Sequence, residues 1–234
     1  MTDNKVALIT AAGKGMGAAC ARELHHSGYR LVLMSPSENV VKLAHELGAK
    51  YLQGSVTDLS ALQCLVDLAM SEYGRIDGVV NNTGHAAKGD LLKLTDQQWA
   101  EGFELLFLNV VRMSRLVVPI MSTQGGGSIV NISTFGAIEP SLDFPISSAI
   151  RAGLAGYVKM FSQQYGPMDI RMNNVLPGYI DSYEVNSSMV DNIPLQRPGK
   201  TAEIAKTVKF LLSEDSGYIS GQSITVDGGL TKSI

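Results

Sequence analysis

The chain has little cysteine, tryptophan and charge. Its 234 residues include two cysteines and one tryptophan, charged residues make up 18%, and the formal net charge is −3. Two cysteines do not build a disulfide framework, so we expect Cys20 and Cys64 to be small buried residues in a reducing compartment. A slightly acidic chain offers no basic footprint for nucleic acid or for an anionic membrane.

Long hydrophobic runs and metal-ligand clusters are also absent from the sequence. No uninterrupted apolar stretch approaches the roughly 18 residues that suggest a membrane span, and no basic-then-apolar leader opens the chain. No group of histidine, cysteine and carboxylate residues has metal-ligand spacing. These absences predict a soluble cytoplasmic protein that binds neither nucleic acid nor a membrane and holds no metal.

A glycine turn follows the first apolar run of the chain. The run 6–9 leads into glycines at positions 13, 15 and 17, and a helical pattern follows from Ala18. A strand, a tight turn and a helix start present unpaired N–H groups and the positive end of a helix dipole, which favour phosphate. The alternative is an ordinary strand-to-helix turn. The predicted phosphate-binding residues are Thr10, Gly13, Lys14, Gly15, Met16 and Gly17.

Strand and helix patterns alternate along the whole chain. Strands are predicted at 6–9, 30–34, 51–53, 76–80, 128–132, 170–175 and 223–226, and helices at 18–27, 40–47, 59–73, 96–121, 146–165 and 202–212. The strands are continuously apolar, which is typical of a parallel sheet covered on both faces. We therefore predict one Rossmann-type, doubly wound α/β domain over 1–234, with about seven strands. Residues 179–200 show little periodicity and are predicted to form a mobile loop that shapes a substrate pocket.

Six motifs resemble, in the same order, those of the short-chain dehydrogenase/reductase family. They are the turn 10–17, Asn81-Asn82-Thr83-Gly84, Asn109, the stretch 127–134, Pro177-Gly178 with Ile180 and Ser182, and the ending 221–229. Within the family the pattern is most similar to the bacterial 3-oxoacyl-acyl-carrier-protein reductases. The resemblance implies an oxidoreductase that acts on a carbonyl or alcohol. It also implies further cofactor contacts at Asn82, Thr83, Gly84, Pro177, Gly178, Ile180 and Ser182.

The catalytic residues that the resemblance implies are altered in this chain. Aligning Arg151-Ala152-Gly153-Leu154 with the family's K-A-G-L places Asn109, Thr134, Ser147 and Arg151 where the family has Asn, Ser, Tyr and Lys. Thr134 keeps a hydroxyl, and Arg151 keeps a positive charge that can hold the nicotinamide ribose. Ser147 is the serious change, because an aliphatic hydroxyl is a weaker acid than a phenol and reaches less far.

Two other side chains are candidates for the missing acid. His85 follows Asn81-Asn82-Thr83-Gly84, at the end of a predicted strand where ligands bind in such sheets, and it titrates near neutral pH. Tyr179 follows Pro177-Gly178 and is predicted to approach the nicotinamide. The alternative for both is a loop residue that merely lines the cleft. Glu139 and Asp143 are predicted to border the substrate cavity.

The residues after the second strand favour NADP over NAD. Family members that bind NAD usually have an acidic residue there, whereas this chain has Ser35 followed by Pro36-Ser37. Lys14 lies where relatives hold the 2′-phosphate of NADP, so NADP is predicted and NAD remains possible. Ser55-Val56 replaces the family's aspartate–aliphatic pair at the adenine, which predicts modest affinity.

Two functional hypotheses follow from these residues. The first is an NADP-dependent oxidoreductase for a small carbonyl or alcohol, with a substitute for the family tyrosine. The second is a catalytically silent protein that binds a dinucleotide as a sensor, scaffold or partner subunit. The resemblance also implies a homotetramer or homodimer. Its predicted apolar face carries Leu105, Leu106, Leu108, Val111 and Leu116.

Overall fold

Seven parallel strands form one sheet in the computed structural model, which describes residues 5–233. The strands are β1 (Val6–Ile9), β2 (Arg30–Ser35), β3 (Lys50–Gln53), β4 (Gly78–Asn81), β5 (Gly127–Ile132), β6 (Ile170–Pro177) and β7 (Ser223–Val226). Their order across the sheet is β3-β2-β1-β4-β5-β6-β7, and every neighbouring pair is parallel. The chain winds outwards in both directions from β1 and β4, so a cleft opens at the carboxyl ends of these two strands.

Helices cover both faces of the sheet, which confirms the predicted fold class. They are α1 (Gly15–His26), α2 (Asn39–Leu47), α3 (Leu59–Tyr73), α4 (Asp96–Phe103), α5 (Asn109–Gln124), α6 (Pro145–Tyr165), α7 (Ser187–Val190) and α8 (Thr201–Leu212). Alternate β1 residues point to opposite faces: Ala7 and Ile9 pack with α1, α2 and α8, whereas Val6 and Leu8 pack with α3, α5 and α6. Both faces of β1 are therefore packed against apolar side chains. The expected unit 1–234 also includes residues 1–4 and 234, which lie outside the described range.

The predicted helix 96–121 begins where expected and contains an irregular turn. Thr95 caps it with Gln98 in a reciprocal capping box. A π-helical turn at Glu104–Leu108 then separates α4 from α5, and Gly125 ends α5 in the left-handed region at φ 91°. By length and mean hydropathy (1.5), the helical stretch Asp96–Gln124 passes the criterion for a membrane span, and 44% of it is buried inside the protein. A core helix of a soluble protein meets the same criterion, so we draw no membrane assignment from it.

Three local expectations need correction. Cys20 is buried, and burial raises its pKa to about 12, but Cys64 is exposed because α3 turns its other face to the sheet. The predicted strand 170–175 extends to Pro177, because the pairing of β6 with β7 continues to that residue. The stretch 179–200 is not wholly irregular, since it contains α7 and a bridge between Ile180 and Gly199.

A row of hydrogen-bonded polar side chains crosses β4 to β7, from the last residue of β4 to the first residue of β7. Asn81 donates to Asn131 at 2.9 Å, Asn131 donates to Asn174 at 3.0 Å, and Asn174 donates to Ser223 at 3.1 Å. These residues are direct partners in the strand register, and Asn131 and Asn174 are at most 1% exposed. The row satisfies amides that burial would otherwise leave without partners. It therefore fixes the relative positions of β4 to β7 at the edge that forms the cleft.

We expect Asn131→Ala to lower the free energy of unfolding by about 2–5 kcal/mol, because it leaves the Asn81 amide N–H and the Asn174 carbonyl oxygen buried without partners. Urea denaturation followed by circular dichroism measures this change. Asn192→Ala is the matched control: its side chain is exposed and makes a single local bond to Ser188, so its effect stays within about 0.5 kcal/mol. Equal stability of the two variants would contradict the role given to the row.

Candidate active site

Hydrogen bonds between Thr10 and Asn82 join the ends of β1 and β4. The Thr10 hydroxyl donates to the Asn82 carbonyl oxygen at 2.7 Å and accepts from the Asn82 N–H at 3.0 Å. The Asn82 side chain donates to the carbonyl oxygen of Ala11 at 3.2 Å. Ala11 lies at φ 46°, a region that favours glycine, so this bond stabilises a strained position of the turn. Thr10 and Asn82, both predicted from the sequence, therefore stabilise the shape of the turn through these hydrogen bonds.

Close packing accounts for the glycine at position 17. A Cβ there would collide with the carbonyl oxygen of Ala11 and lie 2.7 Å from the Asn82 amide nitrogen. Gly15 has φ +55° and begins α1, and no side chain caps that helix start. The first N–H groups of α1 are therefore left for a ligand, as the sequence predicted for the turn.

A first cavity, of about 560 Å³, lies beside the glycine turn and α2. Lys14 lines it, as do Lys42 and Asn39, which sequence analysis missed because they belong to α2. Glu46 also lines it, but its carboxylate pairs with Arg22 through two bonds of 2.8 Å. Among the described residues, no carboxylate pairs with either lysine. Asp181 also lines the cavity, where its carboxylate accepts the Thr201 N–H at 2.8 Å. With Lys14, Arg22 and Lys42 against Glu46 and Asp181, the lining keeps one net positive charge for an anion.

A second cavity of about 350 Å³ brings together most of the predicted catalytic residues. Predicted residues lining it are Met16, Asn82, Thr83, Gly84, His85, Thr134, Ser147, Arg151, Pro177, Gly178, Tyr179 and Ile180. Asn109 does not line it, although the resemblance implied a catalytic role. It is 3% exposed at the start of α5, where its amide donates to the Leu105 carbonyl oxygen and its own oxygen has no partner.

Four further predicted cofactor residues have different surroundings. Ser35 is buried at the end of β2, and its hydroxyl lies 3.3 Å from that of Ser37. Ser182 lines the first cavity rather than the second, and its Cβ lies 3.3 Å from where a Cβ of residue 15 would be. The Ser55 hydroxyl pairs with that of Thr57, and neither Ser55 nor Val56 lines either cavity.

Arg151 is a buried cation bound to uncharged oxygen atoms. It is 7% exposed and donates to the Ile132 carbonyl oxygen at 2.7 Å and to the Thr83 hydroxyl at 3.2 Å. Desolvation lowers its pKa to about 10, so the guanidinium keeps its proton at neutral pH. Ser147 lies one helical turn before it on α6, half-buried, and the two share a face towards the cavity. Thr134 approaches from the end of β5 and accepts an N–H from Gly136.

His85 and Tyr179 have opposite electrostatic surroundings. Partial burial, followed by the positive charges of Lys88, Arg151 and Lys14, lowers the pKa of His85, so its imidazole is mostly neutral at pH 7. Burial and then the charge of Asp143 raise the pKa of Tyr179, so its phenol stays protonated.

Neighbouring aromatic rings hold these two side chains at the cavity. The ring of Tyr179 meets Phe135 edge-on, with centroids 5.5 Å apart. Tyr183, which sequence analysis did not identify, meets His85 edge-on at 6.5 Å.

The two acidic residues before α6 differ in position. Asp143 lines the second cavity, as expected. Glu139 does not line it, because its carboxylate accepts the backbone N–H groups of Lys232 and Ser233 near the end of the chain. Glu139 is therefore a structural residue that holds the C-terminal segment against the loop before α6.

Known proteins match this chain along almost its whole length. A family model described as enoyl-(acyl carrier protein) reductase matches residues 10–231. A 7alpha-hydroxysteroid dehydrogenase of Bacteroides fragilis is 34% identical over 98% of this chain and 95% of its own length. A 3-oxoacyl-[acyl-carrier-protein] reductase of Thermotoga maritima is 32% identical over 97% of this chain and 98% of its own. The chain belongs to the short-chain dehydrogenase/reductase family.

Short-chain dehydrogenases/reductases are oxidoreductases that use NAD(H) or NADP(H) with small-molecule substrates, and the residues of this chain fit a dinucleotide. Gly17 has no Cβ that would collide with the turn, and α1 begins without a side-chain cap. Lys14 lies beside the start of α1 and lines the first cavity. Ser182 lines the first cavity and lies against Gly15. Both cavities border the glycine turn, since Gly13, Lys14 and Gly15 line the first and Met16 lines the second, an arrangement that suits a dinucleotide.

The charges around His85 lead to a testable titration. We expect the pKa of His85 in the folded protein to lie below the ordinary value of about 6.5. Lys88→Gln should raise that pKa, because Lys88 has the largest effect of the neighbouring charges on His85. Imidazole NMR shifts followed from pH 4.5 to pH 8 measure both pKa values. Lys93→Gln, an exposed lysine in the same loop that does not line the cavity, is the control and leaves the pKa unchanged. A His85 pKa above the ordinary value would contradict the positive field at this end of the cavity.

Proposed function

We propose that this short-chain dehydrogenase/reductase binds NADP(H) and interconverts a carbonyl compound with the corresponding alcohol. Its active site has Asn109, Thr134, Ser147 and Arg151 where the family has Asn, Ser, Tyr and Lys. The observation that carries the proposal is the cavity that places Thr134, Ser147 and Arg151 beside the glycine turn and Pro177-Gly178. Neither His85 nor Tyr179 is part of the family set, yet both line the same cavity.

Positive charge at the first cavity supports NADP over NAD. Lys14 and Lys42 have no carboxylate partner among the described residues, and the one carboxylate of α2 in the cavity, Glu46, is held by Arg22. A 2′-phosphate there would receive charge-assisted hydrogen bonds. Ser35 offers a hydroxyl without the repulsion of the acid that NAD-binding relatives use. Ser55 and Val56 would border the adenine, and Thr83, Gly84 and Ile180 the nicotinamide half. Ser182, expected beside the nicotinamide, would instead lie beside the glycine turn.

The residues of the second cavity can bind and polarise a carbonyl. When bound, NADPH supplies the hydride for the carbonyl carbon and is left as NADP⁺. The hydroxyl groups of Thr134 and Ser147 can donate hydrogen bonds to the carbonyl oxygen and orient it. Arg151 adds a buried positive charge that stabilises negative charge developing on that oxygen, besides holding the nicotinamide ribose.

Tyr179 is the proton donor in this proposal. Its phenol is protonated at neutral pH, whereas His85 is mostly neutral and would have to form an imidazolate to give up its remaining proton. Tyr179 follows Pro177-Gly178 directly, and its ring is held against Phe135. In reduction, Tyr179 would give its proton to the carbonyl oxygen, which becomes the hydroxyl of the alcohol. The phenolate would then recover a proton from water.

The catalytically silent alternative is supported by a different observation. Both hydrogen bonds of Arg151 go to the protein itself, to Ile132 and Thr83, so the residue already has a structural role. Ser147 carries only a short hydroxyl where the family has a phenol. In that reading the cleft binds the dinucleotide without turnover.

We further propose that the protein is cytoplasmic and forms a homotetramer or homodimer through α4 to α6. Leu105, Leu108, Val111 and Leu116 are only half-buried, whereas Leu106 is fully buried. Phe107 extends this face, and its ring meets Tyr157 of α6 at 5.7 Å. A second copy that covered these residues would bury the remaining apolar surface.

Replacement of the proton donor tests the proposed function. We expect Tyr179→Phe to lower kcat for carbonyl reduction by a factor on the order of 10²–10⁴ without changing NADPH affinity. His85→Gln should cost much less. Turnover is measured by NADPH oxidation on a panel of small ketones, and affinity by NADPH fluorescence. Tyr218→Phe is the matched control, since Tyr218 is fully exposed and does not line the cavity.

Each outcome of this experiment decides between the two readings. Full turnover in Tyr179→Phe would contradict the assigned donor. Tight NADPH binding by the unaltered protein with no turnover on any ketone would contradict the reductase. In that case, activity gained by the double variant Ser147→Tyr, Arg151→Lys would support the silent reading.

A further inference from the structure

Two cations in the second cavity have no acidic partner among residues 5–233. Arg151 donates only to the uncharged oxygens of Ile132 and Thr83, and a guanidinium has more N–H groups than two such bonds occupy. Lys88 lines the same cavity, and no carboxylate in the described range lies within ion-pair distance of either cation. A buried cation without a counter-ion is unusual unless a ligand supplies one.

A hydroxyl in the same cavity also lacks a partner. Ser133 lines the cavity and is 7% exposed, and its oxygen is buried with no hydrogen bond to the described residues. A buried hydroxyl of this kind costs free energy unless another group completes its bonding. It lies at the end of β5, beside Thr134, and therefore next to the position proposed for the substrate.

The charged side chains that line the cavity fall into two groups. Arg151 donates to Thr83, two residues before His85, and Lys88 follows His85 by three residues, so both cations lie at what we call the His85 end. Asp143, the one carboxylate among the described lining residues, precedes Phe144, and Phe135 meets both Phe144 and Tyr179. An anion is therefore favoured at the His85 end and repelled beside Asp143 and Tyr179.

We propose that the substrate of this cavity is a small oxo acid, whose carboxylate binds at the His85 end against Lys88 and Arg151. The Ser133 hydroxyl donates a further hydrogen bond to the bound acid. The inference rests on the proposed function, which places the carbonyl of the substrate between Thr134, Ser147 and Tyr179. The carboxylate is unchanged in the reaction and serves to select and orient the substrate.

A pair of probes with the same carbonyl group tests this inference. Acetoacetate carries a carboxylate, whereas its ethyl ester carries none. Each is bound to the protein saturated with NADP⁺, where no reduction can occur, and dissociation constants are measured by saturation-transfer NMR. The kcat/KM of each is measured separately with NADPH. We expect the acid to be favoured about tenfold in both measurements, because its carboxylate gains charge-assisted hydrogen bonds.

Lys88→Gln is expected to remove most of this preference, and Lys93→Gln to leave it intact. Lys93 is an exposed lysine of the same loop outside the cavity, and both substitutions are at exposed positions compatible with folding. Equal binding of acid and ester, or a preference that survives Lys88→Gln, would overturn the inference.

The two proposals fail in different ways. Reduction of the ester without binding or reduction of the acid would leave the proposed function standing and overturn the anion site. Lys88-dependent binding of the acid without reduction of either probe would support the anion site and contradict the reductase.

Discussion

Hydrogen bonds between buried amides at the carboxyl edge of the sheet are the constraint on which the cleft depends. Asn131 links β4 to β6 in the middle of the sheet. At the neighbouring position, Thr10 and Asn82 join β1 to β4 and hold the strained Ala11 of the glycine turn. A buried amide without a partner is costly, so these groups keep one arrangement of the strand ends. The groove for a ligand lies directly beyond them.

Arg151 brings a buried positive charge to the second cavity. Arg151 is almost fully buried and keeps its proton, and its two protein bonds leave its charge uncompensated. A planar guanidinium can therefore bond to the protein with some of its N–H groups and bind a ligand with the others. A compact ammonium group would do this with a different geometry. Ser147 lines the same cavity one helical turn before Arg151.

Much of the fold could be predicted because its patterns are local. Continuous apolar strands, helical periodicity in α3 and the cap at Thr95 come from residues close together in the sequence. The path of the chain through the glycine turn was predictable for the same reason. The π-helical turn at Glu104–Leu108 was not predictable in this way, because no periodicity in the sequence indicates such a turn, and Asn109, which follows it, does not line the second cavity.

Contacts between distant residues explain the parts of the site that sequence reasoning missed. Lys42 reaches the first cavity only because α2 packs beside the turn, and Tyr183 reaches His85 from the loop after β6. Glu139 carried the acidic character expected of a cavity residue, but backbone N–H groups of Lys232 and Ser233 hold its carboxylate elsewhere. Such pairings depend on tertiary structure, whereas the resemblance to the family had already brought Thr134, Ser147 and Arg151 together as one site, and all three line one cavity.

The most direct measurement is the affinity of the purified protein for NADPH and NADH, by fluorescence titration at fixed ionic strength. If the groove along the glycine turn holds the dinucleotide with Lys14 and Lys42 at its 2′-phosphate, NADPH binds at least about tenfold more tightly than NADH, and Lys14→Gln reduces that ratio. Equal affinities would contradict the assignment of the first cavity to the 2′-phosphate. Binding of neither nucleotide would contradict the cleft as a dinucleotide site, and both functional readings with it.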